Sequence, residues 1–358
     1  MLKNLKHSIV FILIVITLLF VVVMSLAASK PVPNVNTAAV SAQNGSESKY
    51  GKWSGLGMGL FNTGNTSEFD GYVDILLANG FTELRIDIPV YQAVVAGLEQ
   101  SKAAVIRAVV KGAKVIWGVS SNNLADPDNT ITSTTWLDYR AAILDAAQWA
   151  QDNGVYEFQL GNEEEMHNDD TTLTDAQLRT NLKSVATDAQ EIFTRGNISY
   201  SCSARSIDID SWIAIGKEDI DILASNVYRG GEGYYNNGWE TLITNLVNAF
   251  GADGTYLTEF GPSWTSLEDY STDEAEQASA VAEMIEYIKA SGMTRAFFFC
   301  YIDPTWLSGD IYGARKEDGT YRLLWNQALL NIGPVKSTTV PTKITTISLP
   351  DTIALIPK

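Results

Sequence analysis

The feature that most narrows what this chain can fold into is a repeated alternation of short apolar or β-branched runs with longer amphipathic stretches. Eight runs read as strands, at 56–61, 83–88, 114–119, 156–160, 198–202, 220–227, 256–260 and 296–301. Between them, apolar residues recur with helical period over 68–78, 90–110, 136–151, 175–194, 239–250, 273–290 and 322–330. The weakest interval follows the fifth strand, where only the short SIDIDSWIAIG is available to form a helix. Gly80, Gly112, Gly154, Gly196, Gly251 and Gly292 stand where helices would stop before the next strand. Strand after helix after strand points to a parallel sheet. Eight such units over residues 51–333 predict an α/β fold, one (β/α)8 (TIM) barrel forming a single domain. A doubly wound sheet usually has fewer strands and a Gly-rich phosphate turn, and no G-x-G-x-x-G follows the first strand. The glycines of GLGMGLF read instead as small residues in a tight barrel core.

The ends of the chain differ from this body. Lys3 and Lys6 precede an almost unbroken apolar run at 9–28, which reads as an export signal. The run reaches membrane-spanning length, while Ser25-Leu26-Ala27 offers a small-residue cleavage site, so 1–28 is either a cleaved signal peptide or an N-terminal membrane anchor. In both cases the rest of the chain is expected outside the cytoplasm. Residues 29–50, rich in Ser, Asn, Pro and Ala, read as a flexible linker, and 334–358 as a Thr/Pro-rich tail.

Charge and motif content exclude several function classes. Forty-two acidic residues against twenty-five basic ones leave a formal net charge of -17, which repels phosphate backbones, so nucleic acid is not an expected partner. Cys202 and Cys300 lie in apolar runs and fit no metal-ligand spacing, which makes them core thiols or a single bridge. H-E-x-x-H, G-x-S-x-G and the Walker loop are all absent. No metal and no cofactor are therefore expected, and a monomer is.

In a barrel of this kind the strand C-termini and the loops after them form the active face. Glu163 closes FQLGNE at the end of the fourth strand, and Glu259 lies in TYLTEFG at the end of the seventh, on the opposed side of the mouth. Two carboxyl groups flanking one bond are what glycoside cleavage needs, one to protonate the departing oxygen and one to attack or stabilise the anomeric carbon. The plain structural alternative makes Asn162 a helix cap and 163–165 a solvated acidic run. Joint placement of polar and aromatic residues at strands two, four, six, seven and eight weighs against it.

That constellation resembles the clan of retaining (β/α)8 glycoside hydrolases, over residues 52–333. The resemblance implies that Asn162 binds the sugar hydroxyl beside the scissile bond, that Glu163 is acid/base and that Glu259 is the nucleophile. Within the clan, LRIDIPV is similar to the second strand of glycoside hydrolase family 5, the cellulase and mannanase type, in which an Arg, here Arg85, holds the nucleophile ionised. That family ends its sixth strand His-x-Tyr. This chain reads Asn226-Val227-Tyr228, so Tyr228 carries over as the nucleophile's hydroxyl partner, and Asn226, in place of the histidine, is a candidate substrate-binding residue. Asn-Glu-Pro is also altered, with Glu164 for Pro. His167, in the loop after the fourth strand, is claimed by no motif.

Sugar rings stack on aromatic faces, and Trp117, Trp264, Tyr301 and Trp306 are the candidate platforms, the last two competing for the position at the end of strand eight. Trp136, Trp149, Trp212 and Trp325 have helical neighbours and read as core. The expected activity is a retaining endo-β-1,4-glycanase, such as a cellulase, mannanase or xylanase, acting on β-linked polysaccharide or oligosaccharide. A non-catalytic carbohydrate-binding barrel and a transglycosylase are the alternatives.

Overall fold

A computed structural model of the protein describes residues 53–61, 64–86, 88–89, 95–121, 131–166, 168, 172–203, 205–229, 238–262, 273–303 and 312–332. The expectations for 1–28, 29–50 and 334–358, and those for His167, Trp264 and Trp306, lie outside the described residues.

Eight parallel strands close into a barrel in chain order: β1 (Gly55–Leu60), β2 (Glu83–Ile86), β3 (Lys114–Gly118), β4 (Glu157–Asn162), β5 (Ile198–Cys202), β6 (Ile222–Tyr228), β7 (Leu257–Gly261) and β8 (Arg295–Phe298), with β8 pairing back onto β1. The helices are α1 (Thr66–Ala78), α2 (Val95–Val110), α3 (Trp136–Asn153), α4 (Asp175–Ile192), α5 (Ser206–Ile215), α6 (Trp239–Phe250), α7 (Glu274–Ala290) and α8 (Leu324–Leu330). One helix therefore follows each strand, as a (β/α)8 barrel requires. The short segment after β5 does form a helix, α5, despite its weak periodic pattern.

Local chemistry sets the helix ends. Thr174 and Gln177 form a reciprocal capping box at the start of α4, and Asp273 accepts from the Ala275 and Glu276 amides at the start of α7. Gly154 ends α3 at φ 86°, a left-handed conformation that disfavours a side chain.

Strand residues alternate between two cores. Leu84 and Ile86 join the large cluster between sheet and helices, whereas Ile116, Ile222, Ala224, Tyr256 and Phe297 form a separate cluster within the ring. A Cβ at Gly57 would come within 2.4 Å of the Phe297 ring, so this position of GLGMGLF must be small for the ring to fit. Near the N-terminal rim Arg295 of β8 pairs with buried Glu157 of the opposed β4, and its guanidinium lies 4.1 Å from the Tyr256 ring centroid. The barrel is thus plugged below and polar above. The sheet ladder is irregular at three places, between Gln159 and Asn162, between Ser225 and Asn226, and between Leu257 and Phe260. All three lie beside candidate site residues, where irregular pairing re-aims side chains. Among the described residues no helix is long and apolar enough to cross a membrane.

Candidate active site

Arg85 is the hub of the C-terminal mouth. It lies on β2 between outward-facing Leu84 and Ile86, is only 3% exposed, and spreads its guanidinium over three acceptors. Nη1 donates to Glu259 Oε1 at 2.5 Å, Nη2 to Asn162 Oδ1 at 2.9 Å and Nε to Gln159 Oε1 at 3.0 Å. A buried guanidinium held this way binds β2, β4 and β7 into one unit and places positive charge against Glu259.

Glu259 is 8% exposed and also accepts from the Tyr228 hydroxyl. Burial, followed by the Glu259 charge, pushes the Tyr228 phenol well above its ordinary value, so it remains a donor. Both bonds to Glu259 are donated to it, the pattern an ionised carboxylate needs.

Glu163 follows the last residue of β4 and adopts φ 57°, a left-handed conformation that a non-glycine residue holds at a cost on the order of 1–3 kcal/mol. Its amide donates to Ser201 O at 2.8 Å, and its carbonyl accepts from the Met166 amide at 2.9 Å. Burial of the carboxyl, and next the Glu259 charge, raise it from 4.5 to about 8; Asn226 and Arg85 pull the other way. The Glu259 charge is thus felt by Glu163 across the mouth, and burial adds to it in holding the Glu163 proton. Pairs of this kind mark acid–base sites.

Asn226 is fully buried rather than lining open space. Its Oδ1 accepts from Ser201 Oγ at 2.9 Å and Thr258 Oγ1 at 2.8 Å, which turns its amide nitrogen toward Asn162 Oδ1 at 3.1 Å and toward Glu163. It was expected to bind substrate; its amide nitrogen instead meets Asn162 and Glu163, the two residues that face the mouth. Both lone pairs of Asn162 Oδ1 are consequently taken, by Arg85 and Asn226.

The aromatic expectations need correction. Trp117 is fully buried on the outer side of β3, donating through Nε1 to Ser101 on α2 at 2.8 Å and packing on Trp149 of α3 at 4.8 Å. Ile116 takes the inward position, and strand parity sends the next residue to the helices. Tyr301 is likewise core: its ring packs on Trp325 at 5.7 Å and its hydroxyl lies 3.1 Å from that of Tyr321. β8 ends at Phe298, so the inward parity of the strand does not extend to 301. Among the described residues Phe299 reaches the site, edge-on to Tyr228 at 5.8 Å and to Phe61 at 5.0 Å, with Tyr312 closing the cluster at 5.4 Å. Phe299 was legible in FFFCY by the alternation that puts Phe297 inward; Tyr312 carries no local mark. Nor is 163–165 a solvated run. Glu164 and Glu165 are both buried, and Glu165, raised by burial and then by the Asp208 charge to about 7, accepts from Tyr200 at 2.6 Å and Trp212 Nε1 at 2.5 Å.

Among the described residues no cluster of three or more His, Cys, Asp or Glu could hold a metal ion. Among the described residues, the mouth brings together the Glu163 and Glu259 carboxyls, the Arg85 guanidinium and the Tyr228 phenol.

No protein-family model and no curated protein sequence matches the chain. Solved structures do resemble it in fold. A GH113 β-1,4-mannanase superposes with a TM-score of 0.56 at 12% identity, over 78% of this chain and 98% of that one. Xylanase 10B from Thermotoga maritima gives 0.57 at 12% identity, over 77% and 94%. An exo-β-1,4-mannosidase from Opitutaceae bacterium strain TAV5 gives 0.58 at 13% identity, but this chain spans only 58% of its length. At such identities the likeness is one of fold.

Proposed function

We propose that this protein is a retaining glycoside hydrolase acting on β-linked polysaccharide or oligosaccharide. The observation that carries the reading is the unequal pair at one rim: Glu163 raised to about 8 beside Glu259, which accepts from Arg85 and Tyr228. The mannanase, mannosidase and xylanase names of the structures with this fold favour a β-1,4-linked mannan or xylan backbone as substrate. The apolar run at 9–28 favours action outside the cytoplasm.

In the first step Glu259 attacks the anomeric carbon as the C–O bond to the leaving sugar breaks, and Glu163 gives its proton to the departing oxygen. Esterified Glu259 no longer carries charge. The second-largest cause raising Glu163 thereby disappears, and its carboxylate is suited to take a proton from water as the water oxygen displaces Glu259. Asn162, with its oxygen occupied by Arg85 and Asn226, has its amide nitrogen to offer a substrate hydroxyl.

The test compares two substrates. Glu163→Ala should lower kcat/KM on polysaccharide by a factor of about 100 to 10,000, yet spare aryl glycosides whose leaving group needs no proton. Glu259→Ala should remove activity on both. Wild-type turnover of polymer by Glu163→Ala would sink the assignment.

A further inference from the structure

We propose that Glu164, the residue standing where family 5 has proline, is a positioning residue that holds Glu163 in its acid–base conformation. This rests on the function proposed for Glu163, but the geometry behind it does not. Glu164 is 0% exposed, and its carboxylate gathers donors from three directions. From the end of β3 come the Ser120 hydroxyl at 2.9 Å, the Ser121 amide at 3.2 Å and the Ser121 hydroxyl. From α3 comes the Tyr139 hydroxyl at 2.9 Å. The third direction is backward along its own chain, to the Asn162 amide at 2.9 Å.

That last bond is what couples Glu164 to the site. The Glu164 carboxylate grips the residue before Glu163, while the Glu164 amide donates to the Tyr200 hydroxyl at 3.1 Å. The Gly161–Asn162 peptide unit is thereby tied to β3 and α3 through the Glu164 carboxylate, while the two units that flank Glu163 are tied to β5, one by the Glu163 amide on Ser201 O and the other by the Glu164 amide on Tyr200. A residue at φ 57° stays there only if its neighbours leave no relaxed alternative. On the far side, Glu165 is anchored to Trp212 of α5 and Tyr200 of β5, which keeps the turn from rotating as a body.

Gly161 supplies independent support. A Cβ there would lie 2.6 Å from Glu164 Oε1, 2.7 Å from the Tyr139 hydroxyl and 2.9 Å from Glu164 Cγ. The glycine of LGNEEE is the space into which the Glu164 carboxylate folds. Gly161→Ala therefore dislodges Glu164 without altering any charge.

Two readouts test the idea. In the first, Glu163 is titrated by carbon-13 NMR of unliganded, carboxyl-labelled full-length protein, its signal identified by loss in Glu163→Gln. Gly161→Ala should lower the midpoint from about 8 by more than one pH unit, because a released Glu163 swings away from Glu259 and toward water. In the second, Glu164→Gln places an amide donor among donors; kcat/KM should fall about 100-fold on polysaccharide and less than threefold on an activated aryl glycoside. A uniform loss on both substrates, or an unmoved midpoint in folded Gly161→Ala, overturns the proposal. Wild-type protein that cleaves no glycoside would defeat the proposed function alone, since the titration still judges Glu164.

Discussion

Replacing Glu163 by glutamine tests the electrostatics of the site without any substrate. In the folded chain its carboxyl is raised from 4.5 to about 8, by burial first and the Glu259 charge second. Between those pH values the native state holds a proton that the unfolded chain has released. Stability therefore falls as pH rises through this window, and the penalty is complete above it. At about 1.4 kcal/mol per tenfold change in proton affinity, the interval from 4.5 to about 8 carries about 5 kcal/mol. Glu163 is partly open to solvent, and screening reduces the expected effect to about 2 kcal/mol. Glu163→Gln keeps the volume and an acceptor for Asn226 but removes the titration. Calorimetric unfolding should give wild type and variant nearly equal Tm at pH 4.5, with the variant higher by about 4 °C at pH 8.5. A gap that is the same at both pH values, or a variant less stable at pH 8.5, would refute the reasoning. The same proton should set the alkaline limb of kcat/KM near pH 8.

Tyr228→Phe removes one of the two donors to Glu259 while leaving the ring packed on Phe299. A hydrogen bond to a charged group contributes about 1.5–3 kcal/mol, so kcat should fall by about 10- to 100-fold; an unaltered kcat would remove Tyr228 from the site. Trp117→Ala should lower stability by about 3–5 kcal/mol and leave KM for oligosaccharides alone, because the ring lies between β3 and its helices. A raised KM with unchanged Tm would return Trp117 to the proposed sugar-binding surface.

Much of this molecule was legible locally. Strand and helix periods need only neighbouring residues, and each expected strand overlaps an observed one. Glu163 and Glu259 could be picked out because a barrel's active rim is defined by strand ends, a position readable along the chain. Even the departure from the family pattern at Glu164 was visible. Its burial was not, since nothing in NEEE says that Ser120, Ser121 and Tyr139 wait to receive a carboxylate.

The sequence alone determined the order of elements and which residues stand at the rim, because hydrophobic period and chain punctuation are properties of adjacent residues. Only the closed ring decided which aromatic rings reach the mouth and which stay in the core, and how firmly Glu163 keeps its proton. Those depend on groups brought together from far along the chain: Arg85 meets Glu259 across 174 positions, and burial with Glu259's charge then holds the proton on Glu163. Distance in space sets a field; distance in sequence does not.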